Sequence, residues 1–284
     1  MPTTIGEIQA NGMTFRCRFA GEAGEPVILL HGFPETSHMW AGLLPALEAA
    51  GYRCVAPDQR GYSPGARPEG ISSYSYRAIG MDVFAIADAC GLGRFHLIGH
   101  DWGAGAGWAA VALAPARIAS WTALSVPHIA SFGSAIRNDA GQRQMSQYIT
   151  FFQEPGVAEA ALSADDFAGL KRIWSESAPV EVEEYLSVFR QPGALAAALN
   201  WYRGSRGIDP TDPEVLFGPV DTPTLLIWGN RDMAIGRTAV EGAVHFMTGP
   251  YRLVELDAGH WLVQEAPGRI ASEILADLRA NRIG

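Results

Sequence analysis

Residue 101 is an aspartate in the frame Gly99-His100-Asp101-Trp102-Gly103, with apolar Leu97-Ile98 before it and small Ala104-Gly105 after it. Such a run, with glycine two positions to either side of one polar residue, describes a nucleophile elbow, a sharp strand-to-helix turn that holds a side chain exposed. The glycines are a steric requirement, since a Cβ at either would crowd the turn. At the tip, a carboxylate differs from a hydroxyl: it is ionised at neutral pH and attacks an electrophilic carbon without help from a base. An aspartate that only capped a helix would not need both glycines. A dinucleotide-binding loop is the other reading of these glycines, but Trp108 falls where its third glycine belongs. No cofactor is therefore expected.

An ester formed on Asp101 would need a water activated by an imidazole, itself oriented by a second acid. Asp232 follows the apolar run that ends in Trp228-Gly229-Asn230-Arg231, and His260 lies in Asp257-Ala258-Gly259-His260-Trp261 after the last apolar run. Nucleophile, acid and histidine thus occur in that order, each at the end of an expected strand. Taken singly, Asp232 reads equally as a turn residue and His260 as the start of a helix. Asp257 is nearer to His260 in sequence but only three residues away in an extended loop, so Asp232 is the better orienting acid. His31 and His100 read as loop-shaping residues, and Asp58 as an acceptor for backbone donors in its turn.

The elements that must carry these residues follow from periodicity. Strands are expected at 5–9, 13–19, 26–30, 53–57, 95–99, 118–126, 224–229 and 252–256, with Asn11-Gly12 as a hairpin turn between the first two. Helices are expected from Thr36 or Ser37 to Ala50, over 75–90, after the elbow, and from Pro267 to Ala280. Strands alternating with helices predict an α/β fold, a mostly parallel sheet with helices on both faces. The pattern stops between about Ile129 and Gly218, which reads as purely helical with breaks at Pro155-Gly156, Ser163, Pro179 and Pro192-Gly193. This block is expected to be a helical cap domain, 129–218, inserted into a core domain of 1–128 and 219–284. Asp209-Pro210-Thr211-Asp212-Pro213 is its returning linker.

The 284 residues are 48% hydrophobic and 18% charged, ample for a globular core, and the net charge of -9 argues against nucleic acid or an anionic membrane as partner. Cys17, Cys54 and Cys90 have no metal-ligand spacing, so no metal site is expected, and their odd number suits a reducing compartment. The N-terminus lacks the basic start and apolar core of a signal peptide, and no apolar run is long enough to span a bilayer. A cytoplasmic protein is expected, its oligomeric state open, with a homodimer among the options.

Over nearly its whole length the chain resembles the α/β-hydrolase-fold epoxide hydrolases. His31-Gly32-Phe33-Pro34-Glu35 resembles their oxyanion loop and Gly99-His100-Asp101-Trp102-Gly103 their elbow. The segment from Gln147 to Glu159 resembles the cap segment bearing the first epoxide-activating tyrosine, which falls on Tyr148. Leu199-Asn200-Trp201-Tyr202-Arg203 resembles the one bearing the second, which falls on Tyr202. The resemblance implies an apolar epoxide and water as reactants and a vicinal diol as product. It also implies a covalent ester on Asp101, two phenols supporting the leaving oxygen, and His260 with Asp232 activating water. The backbone amides of Phe33 and Trp102 would hold the oxyanion, and the side chains of Phe33, Trp102 and Phe152 would contact substrate. On spacing alone, both tyrosines could equally be core residues.

Two other readings use the same residues. A haloalkane dehalogenase would also attack through Asp101, with Trp102 and a cap tryptophan such as Trp174 holding the halide. It would leave the tyrosine pair unexplained, and the asparagine such enzymes often carry at the position of Phe33 is absent. A non-catalytic binder of small molecules would have no need of Asp101, Asp232 and His260 together.

Overall fold

Asn11 (φ 51°) and Gly12 (φ 73°) both adopt left-handed conformations in a computed structural model of the chain, the two-residue turn whose twist suits a hairpin. The structure describes residues 3–205, 215 and 217–283. The turn joins β1 (Thr4–Ala10) to β2 (Met13–Ala20), with Gln9 opposite Thr14. The remaining strands are β3 (Glu25–Leu30), β4 (Tyr52–Pro57), β5 (Phe95–His100), β6 (Ile118–Leu124), β7 (Thr224–Gly229) and β8 (Tyr251–Leu256). They form an eight-stranded sheet in the order β1-β2-β4-β3-β5-β6-β7-β8. The two pairings of β2 are antiparallel and the rest are parallel. Strands β5, β6 and β7 are buried throughout, as an apolar run covered on both faces must be.

Two expected boundaries differ. Thr36 does cap a turn, accepting from the His38 amide, but the turn is a 3-10 segment, Ser37–Trp40, and α1 spans only Leu44–Ala49. Pro45 explains the split: it fits the first turn of a helix, but inside a longer one it would remove a hydrogen bond and clash with the preceding turn. Strand β6 ends at Leu124 because Ser125 turns to φ 67°.

Helices α2 (Tyr76–Ala89) and α3 (Trp102–Leu113) pack against each other, the second directly after the elbow. Between β6 and β7 the described chain is helical: α4 (Ile129–Asn138), α5 (Ala140–Met145), α6 (Gln147–Phe152), α7 (Val157–Ile173), α8 (Pro179–Phe189) and α9 (Ala194–Gly204). The break expected at Ser163 falls just after it, where Ala164 is extended and Asp165, Asp166 and Phe167 are left-handed inside α7. The linker read at Asp209–Pro213 lies outside the described residues. Helices α10 (Arg237–Gly242), α11 (Leu262–Glu265) and α12 (Pro267–Ala280) complete the chain, and the first two were not read from the sequence.

The helices of this block are tied to the sheet by polar contacts. On α8, Glu184 accepts from Arg16 (2.9 Å) and Arg18 (2.5 Å) of β2. On α9, the Trp201 indole donates to the Arg60 carbonyl at 2.8 Å. Among the described residues no helix is long and apolar enough to cross a membrane.

Candidate active site

Asp101 follows the last residue of β5 and precedes the first of α3, at φ 51° and ψ -120°. That is a strained backbone for a residue with a side chain, so the surroundings must enforce it. They do so by close approach. A Cβ at Gly99 would lie 2.4 Å from the Gly103 carbonyl oxygen, and one at Gly103 would lie 2.1 Å from that of Leu30. The glycine before Phe33 serves the same end, since a Cβ on Gly32 would meet the Asp101 Cβ at 2.4 Å.

The carboxylate so presented is buried and differently held at its two oxygens. Oδ1 accepts from the Phe33 amide at 2.7 Å, and the nearby Trp102 amide favours the charged form of the group. Oδ2 lies 3.5 Å from His260 Nε2. The other ring nitrogen, Nδ1, donates to Asp232 Oδ2 at 2.8 Å. Asp232 is fixed in turn, because its Oδ1 accepts from the amides of Ala234 (2.7 Å) and Ile235 (3.0 Å). Asp257, the rival acid, is exposed and pairs with Arg231.

Charge follows geometry. Burial disfavours the His260 imidazolium, yet the charges and hydrogen bonds of Asp232 and Asp101 outweigh it and push its pKa up to about 10. Burial likewise opposes ionisation of Asp101, but His260, with help from His100 and the Trp102 amide, holds it below the usual carboxylate value. At neutral pH the site is an imidazolium between two carboxylates.

Tyr148 from α6 and Tyr202 from α9 meet above Asp101, with ring centroids 6.3 Å apart. Together with Asp101 they border a cavity of about 300 Å³ that is also lined by Phe33, Phe152 and His260. Burial, and then the Asp101 charge, raise both phenols well above their ordinary pKa, so both stay protonated. The Trp102 side chain packs edge-on to the Tyr202 ring at 5.0 Å. Phe33 packs edge-on to Phe152 (5.3 Å) and Tyr202 (5.6 Å). Each site residue read from the sequence is thus present at one place.

The alpha/beta hydrolase fold family model matches residues 25–267. Epoxide hydrolase A of Mycobacterium tuberculosis is 34% identical to this chain, over 94% of this chain and 95% of that protein. The chain belongs to the epoxide hydrolases of the α/β-hydrolase fold. Human epoxide hydrolase 4 is 33% identical, over 92% of this chain and 74% of its own length. The crystal structure of epoxide hydrolase A from Mycobacterium thermoresistibile superposes with a TM-score of 0.88 at 30% identity, covering 99% of this chain and all (100%) of that one.

Within this epoxide-hydrolase framework, several further residues brace the site, His31 and His100 in the loop-shaping roles read from the sequence. The His260 carbonyl accepts from Ser125 Oγ (2.8 Å) and His100 Nε2 (2.9 Å). His100 Nδ1 then faces Glu35 Oε2 at 3.5 Å, both side chains fully buried. The other oxygen of Glu35 accepts from Tyr185 of α8 (3.2 Å) and Gln264 of α11 (2.5 Å). Gln142 of α5 steadies the loop after Asp232, donating to the Ala234 carbonyl (2.8 Å) and accepting from the Gly236 amide (2.7 Å). His31 accepts at Nε2 from the Gln59 amide (3.0 Å), which leaves Nδ1 to donate to the Gly32 carbonyl (3.0 Å) and shapes the Phe33 loop. Trp174 packs its buried ring against Tyr185 and Phe189 and is not a wall of the cavity at Asp101.

Proposed function

We propose that this chain hydrolyses an apolar epoxide to a vicinal diol through an ester on Asp101. The observation that carries the reading is the convergence of two protonated phenols and one ionised carboxylate on a mostly apolar cavity. The epoxide oxygen would sit against Tyr148 and Tyr202. Asp101 Oδ2, the oxygen not held by the Phe33 amide, attacks a ring carbon as the carbon–oxygen bond breaks, and one phenol gives its proton to the departing oxygen.

The ester removes one of the two negative charges beside His260. The same balance that raises its pKa in the free enzyme therefore relaxes on alkylation: the imidazolium gives up its Nε2 proton, which returns to the phenolate left by ring opening, and the neutral imidazole becomes a base at the moment one is needed. It takes a proton from a water that attacks the Asp101 carboxyl carbon. Oδ1, now the ester carbonyl oxygen, gathers charge against the amides of Phe33 and Trp102. Collapse releases the diol with Oδ2 as its second hydroxyl oxygen. Of the two protons of the water, one completes that hydroxyl and the other returns His260 to its protonated form.

We assign residues 129–218 as the cap that supplies both tyrosines, on a core of 1–128 and 219–284. The three cysteines carry no disulfide, in keeping with a reducing, cytoplasmic setting. The dehalogenase reading is weaker. A halide needs no acid to leave, so the two phenols would have no task, and Trp174 does not line the cavity.

Incubating the purified protein with styrene oxide and, separately, with 1-bromohexane tests the proposal. The expected result is phenylethanediol from the first and no bromide from the second. Bromide release without diol would assign the site to dehalogenation.

A further inference from the structure

Asp101, Tyr148 and Tyr202 border two cavities rather than one. The larger, about 300 Å³, extends past Met145, Ile173, Met233 and Trp261. The smaller, about 20 Å³, lies between α3 and α4 and is closed by Tyr76, Gly105, Val126, Ile129 and Phe132. The three residues common to both walls mark a waist, and a ring attacked by Asp101 while its oxygen faces the phenols must sit there. The groups on its two carbons then point into opposite lobes. The larger lobe is within the range of pockets that enclose organic ligands. The smaller has room for little more than one water-sized group.

Its walls have little freedom to yield. Tyr76 is fully buried, and Val126, Ile129 and Phe132 are nearly so, and side chains packed this closely resist even one added methylene. Gly105 contributes directly to the space, since a Cβ there would come within 3.2 Å of the Trp102 ring and 3.7 Å of Tyr76.

We propose that the small lobe makes this a hydrolase of epoxides with one bulky apolar substituent, the other carbon bearing hydrogen or at most a methyl group. The inference rests on the epoxide reading above. The lobe, not the nucleophile or the phenols, sets the limit.

The test is kcat/KM for styrene oxide, trans-β-methylstyrene oxide and trans-stilbene oxide, which add nothing, a methyl and a phenyl to the second carbon. The methyl compound should fall within about tenfold of styrene oxide and the diphenyl compound at least ~100-fold below it. Ile129→Ala, which enlarges the lobe, should raise the stilbene-to-styrene ratio at least ~10-fold. Gly105→Ala, which fills it, should lower the methylstyrene-to-styrene ratio. Ile129→Val gives the same sign as Ile129→Ala if the alanine variant does not fold. Equal turnover of styrene and stilbene oxides, or ratios unmoved by these substitutions, would overturn the lobe assignment and leave the epoxide reading standing. Diol from none of the three would remove that reading, and the inference with it.

Discussion

Replacing both Tyr148 and Tyr202 with phenylalanine is expected to lower kcat/KM for styrene oxide by roughly 10²–10⁴, with the melting temperature little changed. The loss follows from the leaving group. Ring opening produces an alkoxide, and a positioned acid contributes roughly 10²–10⁴ to such a step. Both phenols stay protonated, Tyr202 buried and Tyr148 half-buried at the Asp101 cavity. Either single variant should lose less than the pair, because the remaining phenol still donates. The rings themselves pack with Phe33, Phe152 and Trp102, and phenylalanine keeps that packing. Steady-state rates of the three variants, with melting curves alongside, check the prediction. Near-normal turnover in the double variant would take the phenols out of the chemistry.

The second large effect belongs to His260. In His260→Gln, alkylation should proceed and hydrolysis should fall by roughly 10²–10⁴, the range a positioned general base contributes. The nucleophile does not depend on the imidazole for its position, since its turn is enforced by Gly32, Gly99 and Gly103 and its Oδ1 is held by the Phe33 amide. Intact-mass spectrometry after incubation with styrene oxide should show one adduct of the substrate's mass per chain. Peptide mapping should place it on Asp101. A variant that neither turns over nor gains mass would contradict an ester intermediate.

How much of this was readable in the sequence depended on distance along the chain. The elbow was legible because its constraint is local: five consecutive residues carry both the strained aspartate and the glycines its turn requires. Asp232 and His260 were legible because each follows an apolar run that became β7 or β8. The sheet was legible for the same reason, since every strand but the partly exposed edge strand β8 was a largely buried apolar run or half of an obvious hairpin. The first helix was misjudged where Pro45 splits an apparently continuous pattern. Glu35, Ser125 and Gln142 drew no role because each is explained by a partner from a distant element. Glu35 faces His100, Tyr185 and Gln264, and no spacing in the chain announces that meeting. Tyr148 and Tyr202 were singled out only through family resemblance, because aromatic residues on an apolar helix face look like core. The two lobes were not legible at all, since a void of this size depends on how side chains from several elements pack, not on their identities.

The central claim is that water attacks the enzyme and not the epoxide. It is tested by one turnover in H₂¹⁸O with the protein in excess over styrene oxide. The water oxygen should enter the Asp101 carboxylate, making the Asp101 peptide 2 Da heavier, and the diol should leave unlabelled with an oxygen taken from Asp101. A labelled diol with an unlabelled Asp101 peptide would mean that water opens the ring directly, and the covalent mechanism would be wrong.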